Sequence, residues 1–150
     1  MNPSIIKQLF RKKIFKKFIN ILMCHGQKIK AELILYQILT KLKITENNPL
    51  ATLFLAIKNA SPVLILKKLK RRKKVKIIPR IISKKKQISC GIVNLIKNTK
   101  KNKKVKMHIQ LYEEIIKASN NTGSIVELKK QIYTSAFENK LSVKFNKQIN

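Results

Sequence analysis

The sequence contains no aspartate, no tryptophan and only six glutamates, and these shortages exclude most enzyme chemistry. Paired carboxylates for acid–base catalysis could come only from Glu113 and Glu114, which are adjacent and therefore diverge on a helix. The two histidines, His25 and His108, are far apart. Cys24 and His25 form one pair of possible metal ligands, but no second pair of ligands occurs at the spacing that a metal site needs. We therefore expect no catalytic site, no metal site and no cofactor.

The chain is also short of cysteine and of long apolar runs. Cys24 and Cys90 lie far apart in helix-like surroundings, which favours reduced core thiols over a disulfide and indicates a reducing compartment. The longest apolar run is about six residues, against the roughly 20 that a membrane span needs. The N-terminal stretch lacks the apolar region of a signal peptide and leads directly into the first predicted helix, so we interpret it as mature protein.

What the sequence has in excess is positive charge. Lysine and arginine total 35 and the formal net charge is +29, while 44% of the 150 residues are hydrophobic. That length suits one domain with its own core, but self-repulsion at this charge favours a native state that includes a polyanion. Lysine outnumbers arginine 31 to 4, with 24 isoleucines and 13 asparagines. Codons for Lys, Ile and Asn are A/T-rich, so the bias indicates an A+T-rich genome, such as that of an organelle, a parasite or an endosymbiont.

The most charged stretch is KKLKRRKKVK at 67–76, in which eight of ten positions are cationic. Apolar runs rich in β-branched residues flank it, and Pro62 and Pro79 mark its two limbs. The pattern predicts a two-stranded β-arm over about 63–82 with a basic tip. The alternative is a solvated, disordered lysine run, because charges this close repel one another in water.

Apolar residues at helical spacing predict six helices, so the fold class is mainly α, with the β-arm protruding between the third and fourth helices. The expected bounds are about 4–24, 29–42, 49–59, 86–98, 105–119 and 124–138, with a fraying tail at 139–150. The predicted apolar stripe of the third helix is Leu50, Leu53, Phe54 and Ile57. That of the fifth helix is Val105, Ile109, Tyr112 and Ile116, and that of the sixth helix is Ile125, Leu128, Ile132 and Ala136. Phe10, Phe15 and Phe18 of the first helix are either core residues, which their spacing favours, or a platform for stacked bases.

Nucleic acid is the polyanion that such clustered lysines most often bind. We expect backbone contacts from the first helix, from the turn after it, and from the arm with the cluster that follows it. The candidate RNA-binding residues are Arg11, Lys12, Lys13, Lys16, Lys17, Lys28, Lys30, Lys67, Lys68, Lys70, Arg71, Arg72, Lys73, Lys74, Lys76, Arg80, Lys84, Lys85 and Lys86.

A resemblance to a known family lies in the segment from Phe18 to Tyr36, FINILMCHGQKIKAELILY. Without a gap it resembles the first conserved block of the family of small-subunit ribosomal protein seven, F-I-N-x-L-M-x-x-G-K-K-x-x-A-x-x-I-x-Y. Downstream, Asn48-Pro49-Leu50 and AIKNASP at 56–62 are similar to that family's N-P-L and A-L-x-N-x-x-P. The family's paired glycines at the tip of the arm are replaced by Arg72 and Lys73, and its frequent tryptophan in the fourth helix is absent.

The resemblance implies a helical bundle whose β-arm helps it to bind the 3′ major (head) domain of small-subunit rRNA and to nucleate assembly of the head. It also implies neighbouring small-subunit proteins as partners, and an arm close to the exit-site tRNA and the mRNA exit path. The departures from the family's sequence pattern and the Lys/Ile/Asn bias favour a mitochondrially encoded member of the family. A plastid, or the cytoplasm of an A+T-rich bacterium, is the alternative location.

Two other classes of protein stay open at this point. A generic nucleic-acid packaging or architectural protein would use the same charge but would not require the block from Phe18 to Tyr36. A membrane-active amphipathic protein would need its first helix to act alone. Because five further amphipathic helices need partners, the membrane alternative ranks last.

Overall fold

Six helices and one β-ribbon make up the part of the chain that the structure, a computed structural model, describes: residues 13–71, 74–99 and 105–147, without the side chains at 71, 74–76 and 139–147. The elements are α1 (Lys13–Leu22), α2 (Lys28–Thr45), α3 (Pro49–Ala60), β1 (Leu64–Arg71), β2 (Lys74–Ile81), α4 (Lys84–Thr99), α5 (Met107–Ser119) and α6 (Ser124–Lys147). The predicted fold class, a helical bundle with a β-ribbon between the third and fourth helices, is confirmed. The predicted start of the first helix, the tip of the arm at 72–73 and the connector at 100–104 lie outside the described residues.

Helix boundaries follow the local chemistry of the sequence. Pro49 occupies the first turn of α3, where its missing N–H has no helical partner to lose. After α1, Gly26 takes a φ of 73°, a left-handed conformation that glycine adopts without strain. Between α5 and α6, Asn121 (φ 58°) and Gly123 (φ 91°) turn the chain in the same way.

The two strands form an antiparallel ribbon whose register runs from Leu64 opposite Ile81 to Arg71 opposite Lys74. At its base, the backbone N–H of Ile82 donates to the carbonyl of Val63 at 3.1 Å. The N–H of Val63 in turn donates to the hydroxyl of Tyr133 on α6 at 3.0 Å, and α6 packs against both strands. The base of the arm is therefore attached to the last helix.

One core cluster contains side chains from α1, α2, α3, α4 and α5 and from the start of α6. Its largest fully buried side chains are Phe15, Phe18, Ile19, Leu35, Ile38, Leu39, Leu42, Leu53, Ile92, Leu95, Leu111 and Ile115. Phe15 and Phe18 are thus core residues, as their spacing predicted, and not a stacking platform. Phe10 lies outside the described residues.

Three predicted stripes need correction. Phe54 is 37% exposed, because α3 meets α4 and α5 through Leu53, Ala56, Ile57 and Ala60, whose small alanines allow close approach. In α5, which packs against α2, α3 and α4, the buried row is Leu111, Ile115 and Ala118. The predicted row of Ile109, Tyr112 and Ile116 lies half-buried beside it, and Val105 precedes the helix and is exposed. In α6, Val126 is buried while Leu128 is exposed, since this helix also packs against the arm.

Two further expectations differ from the structure. The last helix does not end at 138 but continues to Lys147, because no glycine or proline interrupts the sequence after Gly123. Cys24 is exposed, so it is not a core thiol; Cys90 is half-buried, and neither takes part in a disulfide.

Candidate nucleic-acid interface

The outer side of α1 is cationic, as the sequence predicted. Lys13 and Lys16 are exposed and Lys17 is half-buried, while the opposite side of the helix is buried in the core. The Nζ of Lys17 donates a hydrogen bond to the backbone carbonyl of Lys85 at 3.2 Å. This bond joins the cationic side of α1 to the start of α4. Arg11 and Lys12 lie outside the described residues.

The arm carries lysines on both of its faces. Lys68 and Lys70 are opposite Ile77 and Val75 on one face, and Lys67 is opposite Ile78 on the other. All three lysine side chains are exposed, as is that of Arg80 near the base. The register places Arg71, Lys74 and Lys76 toward the tip; their side chains, and residues Arg72 and Lys73, lie outside the description.

The start of α4 concentrates positive charge further. Lys84, Lys85 and Lys86 occupy its first turn, all are exposed, and no acidic residue accompanies them. The N-terminus of a helix already carries a partial positive charge, so three cations there are unfavourable until an anion binds. Because β2 leads directly into α4, this cluster lies at the base of the arm.

A surface depression with a volume of about 510 Å³ lies between α1, α3, the base of the arm and the start of α4. Apolar side chains that include Ile14, Phe54 and Ile88 line it, together with Lys58, Lys84 and Lys129. The Nζ of Lys129 also donates to the carbonyl of Asn59 at 2.9 Å, which fixes this lysine against the end of α3. Periodicity gave no signal for Lys58, a single cation in an apolar helix.

Two of the candidate residues lie elsewhere. Lys28 and Lys30 are at the start of α2, beyond the C-terminal end of α1, and no described contact links them to the lysines of α4. Lys28 makes an exposed ion pair with Glu32, with 3.7 Å between Nζ and Oε1, an interaction that contributes little to stability. We therefore separate these two lysines from the main cationic surface.

The distribution of acidic residues reinforces the separation of Lys28 and Lys30 from the main cationic surface. No aspartate or glutamate occurs between Glu46 and Glu113, a range that includes α3, the arm and α4.

Within the described residues, no group of three or more His, Cys, Asp or Glu side chains is arranged to hold a metal ion. Burial in the first place, and then the positive charges of Lys41 and Lys106, lower the pKa of His108 below its usual 6.5. None of the described helices is both long and apolar enough to cross a membrane.

Cationic surfaces on a helix, a β-arm and a helix N-terminus are typical of the class of structural proteins that bind a folded polyanion. A family model described as ribosomal protein S7p/S5e matches residues 2–140. The chain belongs to this family, whose members are structural components of the small ribosomal subunit and not enzymes.

Curated relatives agree with this assignment. The chain is 30% identical over 133 residues to small ribosomal subunit protein uS7 of Onion yellows phytoplasma (strain OY-M), which covers 88% of this chain and 85% of that protein. The identity and both coverages are the same for small ribosomal subunit protein uS7c of Euglena gracilis. The uS7 protein of Phytoplasma australiense is 31% identical over 141 residues, 93% of this chain and 88% of that protein. A small-subunit protein of this kind has rRNA and other ribosomal proteins as its partners, and the ribosomal prediction is confirmed over the packaging and membrane alternatives.

Proposed function

We propose that this chain binds the 3′ major (head) domain of small-subunit rRNA through one cationic surface made by α1, the arm and the start of α4. The observation that carries the proposal is the bond from the Lys17 side chain to the Lys85 carbonyl. It joins two lysine clusters that are far apart in the sequence. Ten of the candidate residues have described side chains on these three elements: Lys13, Lys16, Lys17, Lys67, Lys68, Lys70, Arg80, Lys84, Lys85 and Lys86.

The chemistry of this surface fits recognition of RNA shape. A-form RNA presents phosphates and ribose hydroxyls, and its base edges lie in a deep, narrow groove that side chains do not reach. Lysine contributes a point charge on a flexible stem and not the planar fork of arginine. A surface of lysines therefore follows the positions of phosphates at a junction of helices and discriminates little between bases.

Binding of this kind gives the chain a part in assembly. Neutralising the RNA phosphates removes the repulsion both within the protein and between the RNA segments, so the complex folds as a unit. We propose that the chain acts early and nucleates the head of the subunit, and that the arm extends toward the mRNA exit path and the exit-site tRNA. The cellular location that the amino-acid bias favours is the mitochondrion, although the relatives named above include bacterial proteins and the uS7c form of Euglena gracilis.

Hydroxyl-radical footprinting of small-subunit rRNA, with and without the chain, tests the binding site. We expect protection confined to the 3′ major domain, and weaker protection with a Lys16→Gln, Lys85→Gln variant. A variant with the same charge change at Lys43 and Lys117, which are exposed on α2 and α5, serves as the control. Protection in another rRNA domain, or equal protection with both variants, contradicts the proposal. Detection of the chain across fractionated organelles tests the location separately.

A further inference from the structure

The second helix is apolar on two opposite sides. One side lies in the core through Ala31, Leu35, Ile38, Leu39 and Leu42. On the other side Ile29 is 75% exposed, Leu33 55%, Tyr36 38% and Ile44 82%. These four residues, here called the α2 outer stripe, follow one another at steps of four, three and eight residues, so they share one side of the helix with Thr40 in the gap.

The stripe extends along most of the helix and is interrupted at Thr40. It runs for about 22 Å at a rise of 1.5 Å per residue. The helices that pack against α2 are α1, α3 and α5, and among the described residues they leave the side chains of the stripe exposed. Single exposed apolar residues are normal on a protein surface, but a row of four on one side of a helix indicates a binding partner.

The charges nearby argue against RNA as that partner. The stripe itself contains no cation. Four of the six glutamates lie on or next to α2 and α5, namely Glu32, Glu46, Glu113 and Glu114. These two helices are joined by a hydrogen bond from the Tyr112 hydroxyl to Thr45 Oγ1 at 3.1 Å. Acidic and basic side chains are therefore mixed on these two helices, whereas α1, the arm and α4 contain no acidic residue and are the more favourable places for RNA phosphates.

The edges of the stripe indicate what kind of partner fits. Lys30 lies beside it on one edge and Lys43 on the other, both exposed, whereas the charge of Glu32 is already paired with Lys28. A partner with acidic residues on both sides of an apolar row complements these edges. A second copy would bring two chains of net charge +29 together, with cationic edges against cationic edges.

We propose that the α2 outer stripe binds an amphipathic helix of a neighbouring small-subunit protein, in which aspartates or glutamates flank the apolar row. The spacing suits such a partner, because rows at steps of three and four residues interlock between two helices that cross at a shallow angle. The inference depends on membership of the small subunit and not on the RNA-binding surface proposed above.

Photocrosslinking in reconstituted small subunits tests this inference. The full-length chain carries benzoylphenylalanine in place of Leu33, and a control chain carries it in place of Lys117, an exposed residue of α5. After irradiation and RNase treatment, mass spectrometry identifies the crosslinked peptide. We expect position 33 to capture one subunit protein through a helical peptide with apolar and acidic residues, and position 117 not to capture that peptide.

Two pairs of additional substitutions in the photoreactive chain sharpen the test. Ile29→Gln with Ile44→Gln removes apolar contact only and should lower the crosslink yield by about tenfold or more. Lys30→Glu with Lys43→Glu should lower it several-fold, whereas Lys97→Glu with Lys117→Glu, the matched charge reversal, should not. Sedimentation of each chain with the subunit reports its folding and its RNA binding independently of the crosslink. A crosslink to RNA, to a second copy or to a peptide without acidic residues overturns the inference, as does the absence of a crosslink in subunits that contain the chain.

Discussion

Gly91 of α4 lies directly against Ser61 at the end of α3. A Cβ at position 91 would collide with the Ser61 hydroxyl oxygen and would lie 2.8 Å from the carbonyl oxygen of Ile57. That carbonyl accepts the hydrogen bond of the Ser61 hydroxyl. Only glycine allows α3 and α4 to approach this closely, and α4 carries the lysine cluster Lys84 to Lys86 in its first turn.

The substitution Gly91→Ala should therefore destabilise the protein, although alanine is the better helix former. Overpacking a tight contact costs about 1–3 kcal/mol, which exceeds the gain of roughly 1 kcal/mol in helix propensity. Urea unfolding in a buffer of moderate salt measures the difference. Ser89→Ala, two residues earlier on the same helix, is the control and should change the free energy of unfolding little. A Gly91→Ala variant as stable as the parent would contradict the predicted clash.

The hydrogen bonds of Asn59 explain why the motif AIKNASP has an asparagine at this position. Its side-chain amide donates to the carbonyls of Ala118 at 2.9 Å and Ser119 at 3.2 Å, which lie at the C-terminal end of α5, where carbonyls lack helical partners. We expect Asn59→Ala to lower the free energy of unfolding by about 1–3 kcal/mol, because the Ser119 carbonyl loses its side-chain donor and the Ala118 carbonyl keeps only backbone donors. Thermal unfolding compared with Asn20→Ala, an exposed asparagine on α1, checks this. Equal melting temperatures for the two variants would show that the motif has another role.

The sequence predicted the elements of the fold better than the sides that they bury. Six helices and the arm followed from periodicity, because each helix has a core stripe and the arm has paired apolar limbs. Which side of α5 is buried depends on three neighbouring helices, and no pattern local to α5 records their positions. The same holds for Phe54, which packs at the edge of the core with its ring centroid 6.1 Å from that of Phe15.

The candidate site was predictable only in part, for a related reason. Runs such as Lys84 to Lys86 are visible in the sequence, whereas the bond between Lys17 and Lys85 depends on how α1 packs against α4. Lys58 and Lys129 join the same surface only after α6 packs against both α3 and the arm. The outer stripe of α2 was masked by the stronger core stripe on the same helix, which explained most of its apolar residues without it.

The lysine cluster of α4 should determine part of the salt dependence of RNA binding. Each phosphate contact on RNA contributes roughly 0.7–0.9 to the slope of log K against log salt. We expect the triple variant Lys84→Gln, Lys85→Gln, Lys86→Gln to make that slope shallower by about 2, and to weaken binding to a head-domain rRNA fragment. Filter binding from low to moderate salt gives the slope directly.

The matched control for this prediction changes the same charge elsewhere. Lys43, Lys97 and Lys117 are exposed and lie in or near the last turns of α2, α4 and α5. Their triple replacement by Gln lowers the net charge by the same amount. It should leave the slope within about 0.5 of the parent value, because diffuse charge releases few bound counterions. Equal slopes for the two triple variants would exclude a localised contact at the start of α4.

His108 should make the protein less stable in mild acid. Its pKa lies below 6.5 in the folded chain, first through burial and then through the charges of Lys41 and Lys106. The unfolded chain therefore binds the proton more tightly, and protonation favours unfolding. This part of the stability is complete above about pH 6.5 and is lost as the pH falls through the folded pKa.

An NMR titration of the imidazole should give a midpoint below 6.5. Lys41→Met should raise that midpoint only in part, because burial remains. In urea unfolding at pH 7.5 and 5.5, His108→Gln should lose less stability on acidification than the parent, and an equal loss would show that this histidine does not contribute to the pH dependence.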